Sequence, residues 1–323
     1  AYASQVIVLM STVPVGTGKR IQEILRSRAN GRAPAAVNNP EFLREGSAVH
    51  DFFHPQRIVL GGADALAVRT ITDIYRLGMI NPVPILTTNN ETAEMIKYAS
   101  NTFLATKVGF INELAGLCDR LGVNVLDVAH GMGLDPRISP EFLEPGPGWG
   151  GSCFGKDMKE FAGLAEAHDY KLIIAEGVLA SNQRQFELVV GKVRQLVNEL
   201  KGAKIAVLGL AFKANTSDMR DSAAIPIVKQ LLACGATVHA FDPRAHIEVH
   251  RYLPDLAIAS SAYEAAIGAD CLLILTEWQE FQLLDFKKVG EGMRQRNLVD
   301  ARNLLAPEQA ARFGFTYLGM GQF

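Results

Sequence analysis

Hydrophobic positions in the first quarter of the chain alternate between short apolar runs and amphipathic stretches. Continuous apolar runs are typical of parallel strands that are covered on both faces, and prolines favour a strand at the edge of a sheet. Ala65–Leu77 has the spacing of a helix. The predicted strands are Gln5–Met10, Ala35–Asn38, Arg57–Gly61 and Pro82–Leu86. The pattern therefore predicts an α/β layer in this region.

From Thr88 to residue 200 the apolar positions change to helical spacing. The longest stretch, Asn90–Leu121, contains no proline and is followed by Gly122, so it predicts one long helix. Residues 131–155 are rich in glycine and proline and predict a loop. The other helices predicted here are Val125–Gly131, Lys156–Ala167 and Ile173–Leu200. The middle of the chain is therefore predicted to be all-helical.

A second α/β pattern begins at Lys204. Its predicted strands are Lys204–Leu210, Ala236–Asp242, Ala269–Thr276 and Asn297–Asp300. Asp221 and Ser222 have side chains that cap helices, so they predict the start of a helix that Gly235 ends. These changes of pattern predict three domains, residues 1–87, 88–200 and 201–323.

Charge and composition exclude several classes of protein. The chain carries 32 Lys and Arg against 34 Asp and Glu, a net charge of −2, whereas a nucleic-acid binder needs a basic surface. No apolar run reaches the about 18 residues of a membrane span, and Ala1–Met10 lacks the charged region and cleavage site of a signal peptide. The four scattered cysteines favour a reduced cytoplasmic compartment. We therefore expect a globular protein with neither nucleic acid nor membrane as a partner.

Cys153 is the strongest candidate for chemistry. It follows the glycine-rich Gly150–Ser152 and precedes a predicted helix, where the helix dipole and Lys156 lower the pKa of a thiol. Asp157 follows one helical turn later and can reach the same space. The alternative is a small apolar residue in a turn. That alternative is the favoured interpretation of the other three cysteines, which are Cys118, Cys234 and Cys271.

Further candidates are polar residues at helical spacing or at strand ends. Lys97 and Asn101 are four residues apart on the long helix and can stabilise an oxyanion, although from spacing alone a solvated helix face is favoured. Glu41 and Glu45 can act as a general base and its partner, although Glu is also common in a first helical turn. Thr12 follows a strand at the edge where open α/β sheets bind ligands, and its alternative role is a helix cap.

Basic residues follow two strands of the second α/β region. Lys213 and Arg220 come after the strand at Lys204, and Arg302 comes after Asn297–Asp300, so they suit an anionic ligand such as a pyrophosphate. His246 and His250 lack the H-E-x-x-H order of a zinc site, and we expect no metal.

Five segments in order resemble the UDP-glucose/GDP-mannose dehydrogenase family, and the resemblance covers almost the whole chain. The segments are Ser11–Thr17, Asn39–Gly46, Glu94–Phe103, Gly150–Asp157 and Phe212–Ser222. Gly133–Ser139, Phe142–Gly151 and Tyr317–Gly321 are similar to the UDP-glucose branch of that family.

The resemblance implies an α/β fold with two Rossmann-like parallel-sheet domains, the first incomplete, joined by a central all-helical domain with a long helix. It implies NAD as cofactor and the oxidation of the C6 alcohol of UDP-glucose to the carboxylate of UDP-glucuronate, which serves polysaccharide biosynthesis. Cys153 would attack the intermediate aldehyde as a thiolate to give a thiohemiacetal, and the second hydride transfer would leave a thioester that water hydrolyses.

The resemblance also implies roles for the candidate residues. Lys97 and Asn101 would stabilise oxyanions, and Asp157 with Thr12 would orient a water. Glu45 would be the base in thioester hydrolysis, supported by Glu41. The implied UDP-sugar contacts are Phe142, Leu143, Gly146, Trp149, Gly150, Phe212, Lys213 and Arg302. The implied NAD contacts are Thr12, Glu45, Ser152, Lys156 and Arg220. Arg137 would reach the substrate of a neighbouring subunit, which implies a homodimer built on the long helix.

Two alternatives stay open at this point. The substrate can be GDP-mannose or a UDP-N-acetyl sugar, because few residues contact the sugar. The family also opens with a strand and a G-x-G-x-x-G turn for the NAD pyrophosphate, whereas this chain begins among the later strands. We therefore expect a fragment of a longer enzyme, and a non-catalytic UDP-sugar-binding module is the second alternative.

Overall fold

Ten strands and thirteen α-helices form in the described part of the chain, which comprises residues 5–78, 82–152 and 154–322 of a computed structural model. The strands are β1 (Val6–Leu9), β2 (Ala35–Asn38), β3 (Ile58–Gly61), β4 (Ile85–Thr88), β5 (Lys204–Leu208), β6 (Thr237–Phe241), β7 (Ala257–Ile258), β8 (Cys271–Ile274), β9 (Asn297–Asp300) and β10 (Thr316–Gly319). The helices are α1 (Thr17–Arg28), α2 (Ala48–Phe53), α3 (Ala65–Gly78), α4 (Asn90–Leu121), α5 (Val125–Gly133), α6 (Phe154–Glu166), α7 (Ile173–Val197), α8 (Ala224–Ala233), α9 (Val249–Tyr252), α10 (Ala262–Ala266), α11 (Gln279–Gln282), α12 (Phe286–Gly292) and α13 (Pro307–Arg312).

The chain divides into two units. Unit 1 comprises Ala1–Phe103 and Asp157–Lys171, and unit 2 comprises Leu104–Lys156 and Leu172–Phe323. Each unit contains one sheet with helices around it. The three-domain division of the sequence analysis stays a prediction.

Unit 1 contains a four-stranded sheet in the order β1-β2-β3-β4. Strands β1 and β2 are parallel, as are β3 and β4, while β2 and β3 meet at the single antiparallel pair Asn38–Gly61. All four residues of β2 and of β3 are buried, as their continuous apolar sequence predicts. Their side chains pack against α3, whose buried residues are Ala67, Val68, Ile71 and Thr72.

Strand β4 lies later in the sequence than predicted. The hydrophobic pattern predicts Pro82–Leu86, whereas the strand lies at Ile85–Thr88, at the edge of the sheet. Proline has no N–H to donate, so Pro84 only accepts, from the N–H of Ile58 (3.0 Å), and the regular ladder begins at Ile85.

Unit 2 contains a six-stranded, fully parallel sheet in the order β10-β9-β8-β5-β6-β7. The central strands β5 and β8 are apolar and buried, from Ile205 to Leu208 and from Cys271 to Ile274. Helices α7, α8 and α10 pack against this sheet, and α12 packs on α10 to complete the hydrophobic core. Because the sheet is parallel, the loops after β5, β6, β8 and β9 lie at one edge, where open α/β sheets bind ligands.

Beyond residue 122, four helices differ from the predicted bounds. Helix α5 continues to Gly133 and not Gly131, α6 spans Phe154–Glu166 and not Lys156–Ala167, and α7 and α8 differ as well.

Helix α8 begins at Ala224 with Ala223 as its N-cap, and not at Asp221 and Ser222. The Ser222 hydroxyl still serves the helix start, because its oxygen accepts from the N–H of Ala224 (3.2 Å). It also donates to the carbonyl of Leu210 (2.7 Å), so it joins the helix start to the loop after β5. Helix α7 ends at Val197 because Asn198 adopts the left-handed conformation (φ 63°).

The predicted α/β fold class, with parallel-sheet Rossmann-like regions and a helical region built on one long helix, is confirmed. Helix α4 has 32 residues and the predicted bounds. Within the described ranges, every helix is too short or too polar to cross a membrane.

Candidate active site

Lys97 of α4 is a buried cation in unit 1. Its side chain is only 5% exposed, and Nζ donates to the carbonyl oxygen of Glu41 (2.7 Å) and lies 3.4 Å from the Glu41 carboxylate. Burying an ammonium group is costly unless it is paired, and these two oxygens offset that cost. The contacts hold the charge in one place, as stabilisation of a developing anion requires.

Asn101 lies one turn further along the same face of α4. Its Nδ2 donates to Oδ2 of Asp157 over 2.6 Å, and both residues are buried. Asp157 belongs to the first turn of α6, where the helix dipole favours a carboxylate. The interpretation of Lys97 and Asn101 as a solvated helix face is therefore wrong, and the structure brings both together with Asp157 and Glu41.

Tyr98 adds a second hydrogen bond between α4 and α6. Its hydroxyl donates to Glu160 (2.8 Å), and its ring stacks on Phe161 at a centroid distance of 5.9 Å. Burial raises the pKa of Tyr98 well above its usual value, so the phenol stays protonated and acts as the donor. Tyr98 pairs with Glu160, and three residues later Asn101 pairs with Asp157, so the two bonds together fix the register of the helices.

The loop after β2 carries Glu41 and Glu45 and is not helical. Glu41 accepts from the backbone N–H of Leu43 (2.6 Å) and donates its own N–H to the carbonyl of Met10 (3.2 Å). Glu45 is half-buried, and α2 begins only at Ala48, so the two carboxylates do not share a helix face. Thr12 follows β1 at the same edge of the sheet and is half-buried. The structure thus places both loops next to each other at the carboxyl ends of β1 and β2.

A cation–π contact that sequence reasoning missed also holds this loop. The Phe42 ring lies 3.9 Å from the guanidinium of Arg57 and 5.3 Å from Nζ of Lys97. Arg57 also donates to the hydroxyl of Ser100 on α4 (3.2 Å), and burial lowers its pKa. Arg57 lies just before β3, and nothing in its local sequence marks it as a partner of the loop.

Glu94 was also missed. Its carboxylate is 3% exposed and accepts hydrogen bonds from the backbone of Gly16 and Gly18 and from the side chain of Asn38. These donors are 56 to 78 positions away in sequence, so only the fold reveals them.

Cys153 lies outside the described residues, and its reactivity stays a prediction. Helix α6 begins at the next residue, Phe154. The other cysteines are free thiols. Burial raises the pKa of Cys118, and it raises the pKa of Cys271 to about 12, so both stay protonated and unreactive near neutral pH.

In unit 2, side-chain amides hold the backbone of residues 145–151, here called the glycine segment. Asn112 accepts from the N–H of Gly146 (2.7 Å), and Gln185 donates to the carbonyl of Gly146 (2.7 Å). Asn182 accepts from the N–H of Trp149 (2.9 Å) and donates to the carbonyl of Trp149 (3.0 Å). A peptide outside any helix or strand is thus fixed as firmly as one in a sheet.

The glycine segment packs closely on the loop after β5. A Cβ on Gly150 would lie 2.3 Å from the carbonyl oxygen of Asp221. A Cβ on Gly151, whose φ is +88°, would lie 2.9 Å from the Phe212 ring. Only glycine fits at either position. The glycine segment and the loop after β5, both of which the sequence predicts to be ligand regions, therefore contact each other in unit 2.

Three other predicted UDP-sugar contacts, Phe142, Leu143 and Trp149, differ from one another in how exposed their side chains are. Leu143 packs into the hydrophobic cluster of α4 and α5, so only its backbone is left for a ligand. The Trp149 side chain is buried, whereas Phe142 is 36% exposed and adopts a left-handed φ of 64°.

The predicted cations of unit 2 all have partners. Arg302 donates to the carbonyls of Leu275 (2.9 Å) and Phe212 (3.2 Å) and pairs with Glu277 (3.1 Å). Its guanidinium would lie 3.3 Å from a Cβ on Gly146, so it adjoins the glycine segment.

Lys213 lies 5.5 Å from the Phe212 ring centre. Arg220 binds Asp218, and Arg137 binds Asp135 on a separate, exposed turn. Ser152 is half-buried and Lys156 is exposed, beside the start of α6. Among the residues that the structure describes, no three metal-ligating side chains come together.

Comparisons with known proteins decide the family. Three family models match in chain order: the NAD binding domain (residues 1–78), the central domain (91–184) and the UDP binding domain (206–307) of the UDP-glucose/GDP-mannose dehydrogenase family. The UDP-glucose 6-dehydrogenase of Rhizobium meliloti is 45% identical over 98% of this chain and 73% of its own length. The chain belongs to the UDP-glucose/GDP-mannose dehydrogenase family.

Other relatives agree with this membership. The UDP-glucose 6-dehydrogenase of Pseudomonas aeruginosa is 42% identical over 98% of this chain and 72% of its own length. The structure of a UDP-glucose dehydrogenase from Pyrobaculum islandicum superposes with a TM-score of 0.89 at 34% identity, covering 98% of this chain and 71% of that one. The predicted family, oxidoreductase class and NAD cofactor are confirmed, and a UDP-sugar is confirmed as the class of ligand.

The residues of unit 1 fit part of NAD. The Thr12 hydroxyl and the Glu45 carboxylate are half-buried beside the carboxyl ends of β1 and β2, and such groups suit the hydroxyl and amide parts of a dinucleotide. The N-terminus of α1, which follows β1, does not fit its pyrophosphate, because the buried carboxylate of Glu94 already accepts from Gly16 and Gly18.

Proposed function

We propose that the chain oxidises the C6 alcohol of UDP-glucose to the carboxylate of UDP-glucuronate with NAD. The curated relatives from Rhizobium, Pseudomonas and Bacillus subtilis, all named as UDP-glucose 6-dehydrogenases, support this substrate at 41–45% identity over 98% of the chain. The observation that carries the chemistry is the buried cation Lys97 one helical turn from the Asn101 amide, which itself is bound to Asp157.

The proposed reaction has two oxidations. NAD, when bound, supplies the hydride acceptor for each. Lys97 and Asn101 stabilise the negative charge that develops on the C6 oxygen, and burial strengthens that interaction. The Asp157 carboxylate holds the Asn101 amide in place and accepts the proton that the reacting hydroxyl loses.

Cys153 is proposed as the nucleophile for the second oxidation. Its thiolate adds to the C6 aldehyde and forms a C–S bond, which gives a thiohemiacetal; loss of hydride from C6 then gives a thioester. Water attacks the thioester, the C–S bond breaks, and the thiol and the carboxylate are released. Glu45, supported by Glu41, is proposed to take the proton of that water.

Unit 2 is proposed to bind the nucleotide sugar. The match of residues 206–307 to the UDP binding domain supports this role. The backbone of the glycine segment, held by Asn112, Asn182 and Gln185, is a preorganised ligand surface. Arg302 and Lys213 supply positive charge near Phe212 for a diphosphate.

The homodimer is proposed on the exposed apolar residues of α4. They recur at intervals of seven and four residues and so form a stripe along the helix. The members of this stripe are Phe103, Phe110, Leu117 and Leu121. Sedimentation should give a dimer for the wild type and a monomer for Phe110→Asp with Leu117→Asp. A monomeric wild type would contradict the proposal.

Cytoplasmic location and supply of polysaccharide precursors also stay predictions.

Turnover of the purified chain tests the proposed function. With UDP-glucose and NAD⁺ we expect two NADH for each UDP-glucuronate identified by mass spectrometry, because the alcohol loses four electrons. Cys153→Ala should bind UDP-glucose in calorimetry but form no acid. GDP-mannose and UDP-N-acetylglucosamine serve as comparison substrates. UDP-glucose binding without turnover would favour the binding-module alternative, and preferred turnover of another sugar nucleotide would overturn the substrate.

A further inference from the structure

Glu94 connects the helix that carries Lys97 and Asn101 to two other elements of unit 1. Its Oε2 accepts from the N–H of Gly16 (2.6 Å), and its Oε1 accepts from the N–H of Gly18 (2.7 Å) and from Nδ2 of Asn38 (2.8 Å). One carboxylate thus binds the turn between β1 and α1, the end of β2, and α4 together.

These contacts replace a local helix cap. The N-cap of α1 is Gly16, which has a φ of 95° and no side chain, so no side chain at the N-cap serves the first turn. The N–H of Thr17 bonds locally, to the carbonyl of Pro14 (3.1 Å), but the N–H groups of Gly16 and Gly18 bond to Glu94. Glu94 supplies the missing acceptor from 76 to 78 positions away. Its charge also complements the positive end of the α1 dipole.

Tight backbone packing leaves no room for α4 to move sideways. A Cβ on Gly18 would lie 3.0 Å from the side chain of Asn90, and a Cβ on Gly61 would lie 2.6 Å from both the Ala93 side chain and the Asn89 carbonyl. The first turn of α4 therefore rests directly on β3 and on α1. Glu94 is the charged group that fixes its rotation and axial position there.

Glu94 lies three residues before Lys97 and seven before Asn101, so the three side chains share one face of α4. We propose that Glu94 is a positioning residue, which sets Lys97 and Asn101 relative to the loop that carries Thr12. This inference rests on the proposed function. Because misplacement of reacting groups by about 1 Å can cost about 100-fold in rate, we expect Glu94→Ala to lower kcat about 10- to 100-fold. The KM for UDP-glucose should stay unchanged, because the residues proposed to bind the sugar nucleotide belong to unit 2.

Rescue by formate is the decisive experiment. Glu94→Ala leaves a cavity lined by three N–H donors, and formate supplies a carboxylate that accepts from them. Turnover is measured against formate at constant ionic strength, with chloride as the matched salt. Hydrogen exchange of the Gly16 and Gly18 amides in the same samples reports binding of formate without any need for turnover. Glu91→Ala, on the same helix, is the matched control and should keep the wild-type kcat.

We expect a folded Glu94→Ala variant with a low kcat and fast hydrogen exchange at both amides. Formate, but not chloride, should raise kcat and slow the exchange towards the wild-type values. A wild-type kcat in that variant, or formate that restores amide protection but not kcat, would overturn the inference. If Glu94→Ala does not fold, Glu94→Gln decides, because it keeps the shape and loses one acceptor; a wild-type kcat in the folded glutamine variant contradicts the inference. Absence of turnover in the wild type would instead contradict the proposed function.

Discussion

The cluster around Lys97 in unit 1 and the glycine segment in unit 2 are both buried and both fixed, but by opposite means. In the cluster, buried charged groups bind side chains from distant parts of the sequence, as Lys97 binds Glu41 and Asp157 binds the amide of Asn101. In the glycine segment, neutral side-chain amides bind backbone groups, as Asn182 does with both polar atoms of Trp149.

This difference follows from what each region has to do. Stabilising a developing charge requires a fixed charge or dipole, and a buried charge is stable only when every partner is in place. Recognising a ligand through the backbone requires shape, and glycine allows the closest approach of one backbone to another. The cluster should therefore be sensitive to the loss of single polar atoms, and the segment to the addition of single carbon atoms.

The largest expected effect removes one charge from the cluster. Asp157→Asn keeps the size of the side chain but removes the charged acceptor of the Asn101 amide. We expect kcat to fall about 100-fold, the usual consequence of losing one preorganised polar group, while the Kd for UDP-glucose is unchanged. Asp169→Asn is the control, because Asp169 is exposed and asparagine tolerates its left-handed conformation. A weaker Kd in Asp157→Asn would contradict the division of roles.

One added carbon in the glycine segment should have a smaller effect, and that effect should be on the Kd for UDP-glucose. Gly150→Ala places a Cβ 2.3 Å from the carbonyl of Asp221, so the backbone must shift. Overpacking of this kind costs about 1–3 kcal/mol, and we expect the calorimetric Kd for UDP-glucose to rise about tenfold. Gly191→Ala in α7 meets nothing within 4 Å and should instead leave the Kd unchanged. An unaltered Kd in Gly150→Ala would show that the segment does not shape the site.

Loss of the Tyr98 hydroxyl tests how much a single polar contact of unit 1 contributes to stability. Tyr98→Phe removes the hydrogen bond to Glu160 and leaves the ring packed on Phe161. We expect a loss of about 1–2 kcal/mol in the free energy of unfolding, since the acceptor is a carboxylate. Urea denaturation of this variant beside Tyr170→Phe, an exposed tyrosine, measures it. Equal stability of the two variants would mean that the bond does not fix α4 and α6.

The smallest expected effect is a change in the pH dependence of stability. The Arg44 guanidinium holds the pKa of Asp51 well below its usual range. A group whose pKa is lower in the folded protein stabilises it above the unfolded pKa of about 4, and this stabilisation is lost as the pH falls below that value. In urea denaturation between pH 3 and pH 7, the free energy of unfolding of Asp51→Asn should therefore fall less at acid pH than that of the wild type. An equal fall in the two proteins would show that the ion pair does not contribute to stability.

Much of the fold could be predicted because local pattern determines it. The bounds of β2, β9 and α4 agree with the predicted ones residue for residue, since β2 and β9 are short buried segments that end at a polar residue and α4 is a long helical repeat with clear ends. The single antiparallel pair between β2 and β3 could not be predicted, because strand direction depends on how the connection crosses the sheet.

The candidate site could be predicted in part. Lys97 and Asn101 share a helix face, which spacing reveals, but their burial depends on Glu41 and Asp157, each 56 positions away. Glu94 and Arg57 escaped notice for the same reason. Leu143 was expected at the ligand from the family resemblance, and its side chain is in the core because neighbouring residues of a binding loop need not face the same way.

The most direct test of the division of roles compares kcat and the UDP-glucose Kd of Lys97→Met with those of the wild type. Methionine keeps the length and apolar body of the side chain and removes its charge together with its hydrogen bond to Glu41. The account predicts a loss of about 100- to 1,000-fold in kcat with an unchanged Kd, and wild-type values for both in Lys159→Met, whose lysine is exposed on α6. Loss of UDP-glucose binding in Lys97→Met, or turnover at the wild-type rate, would contradict the claim that the buried cation of unit 1 serves the chemical step.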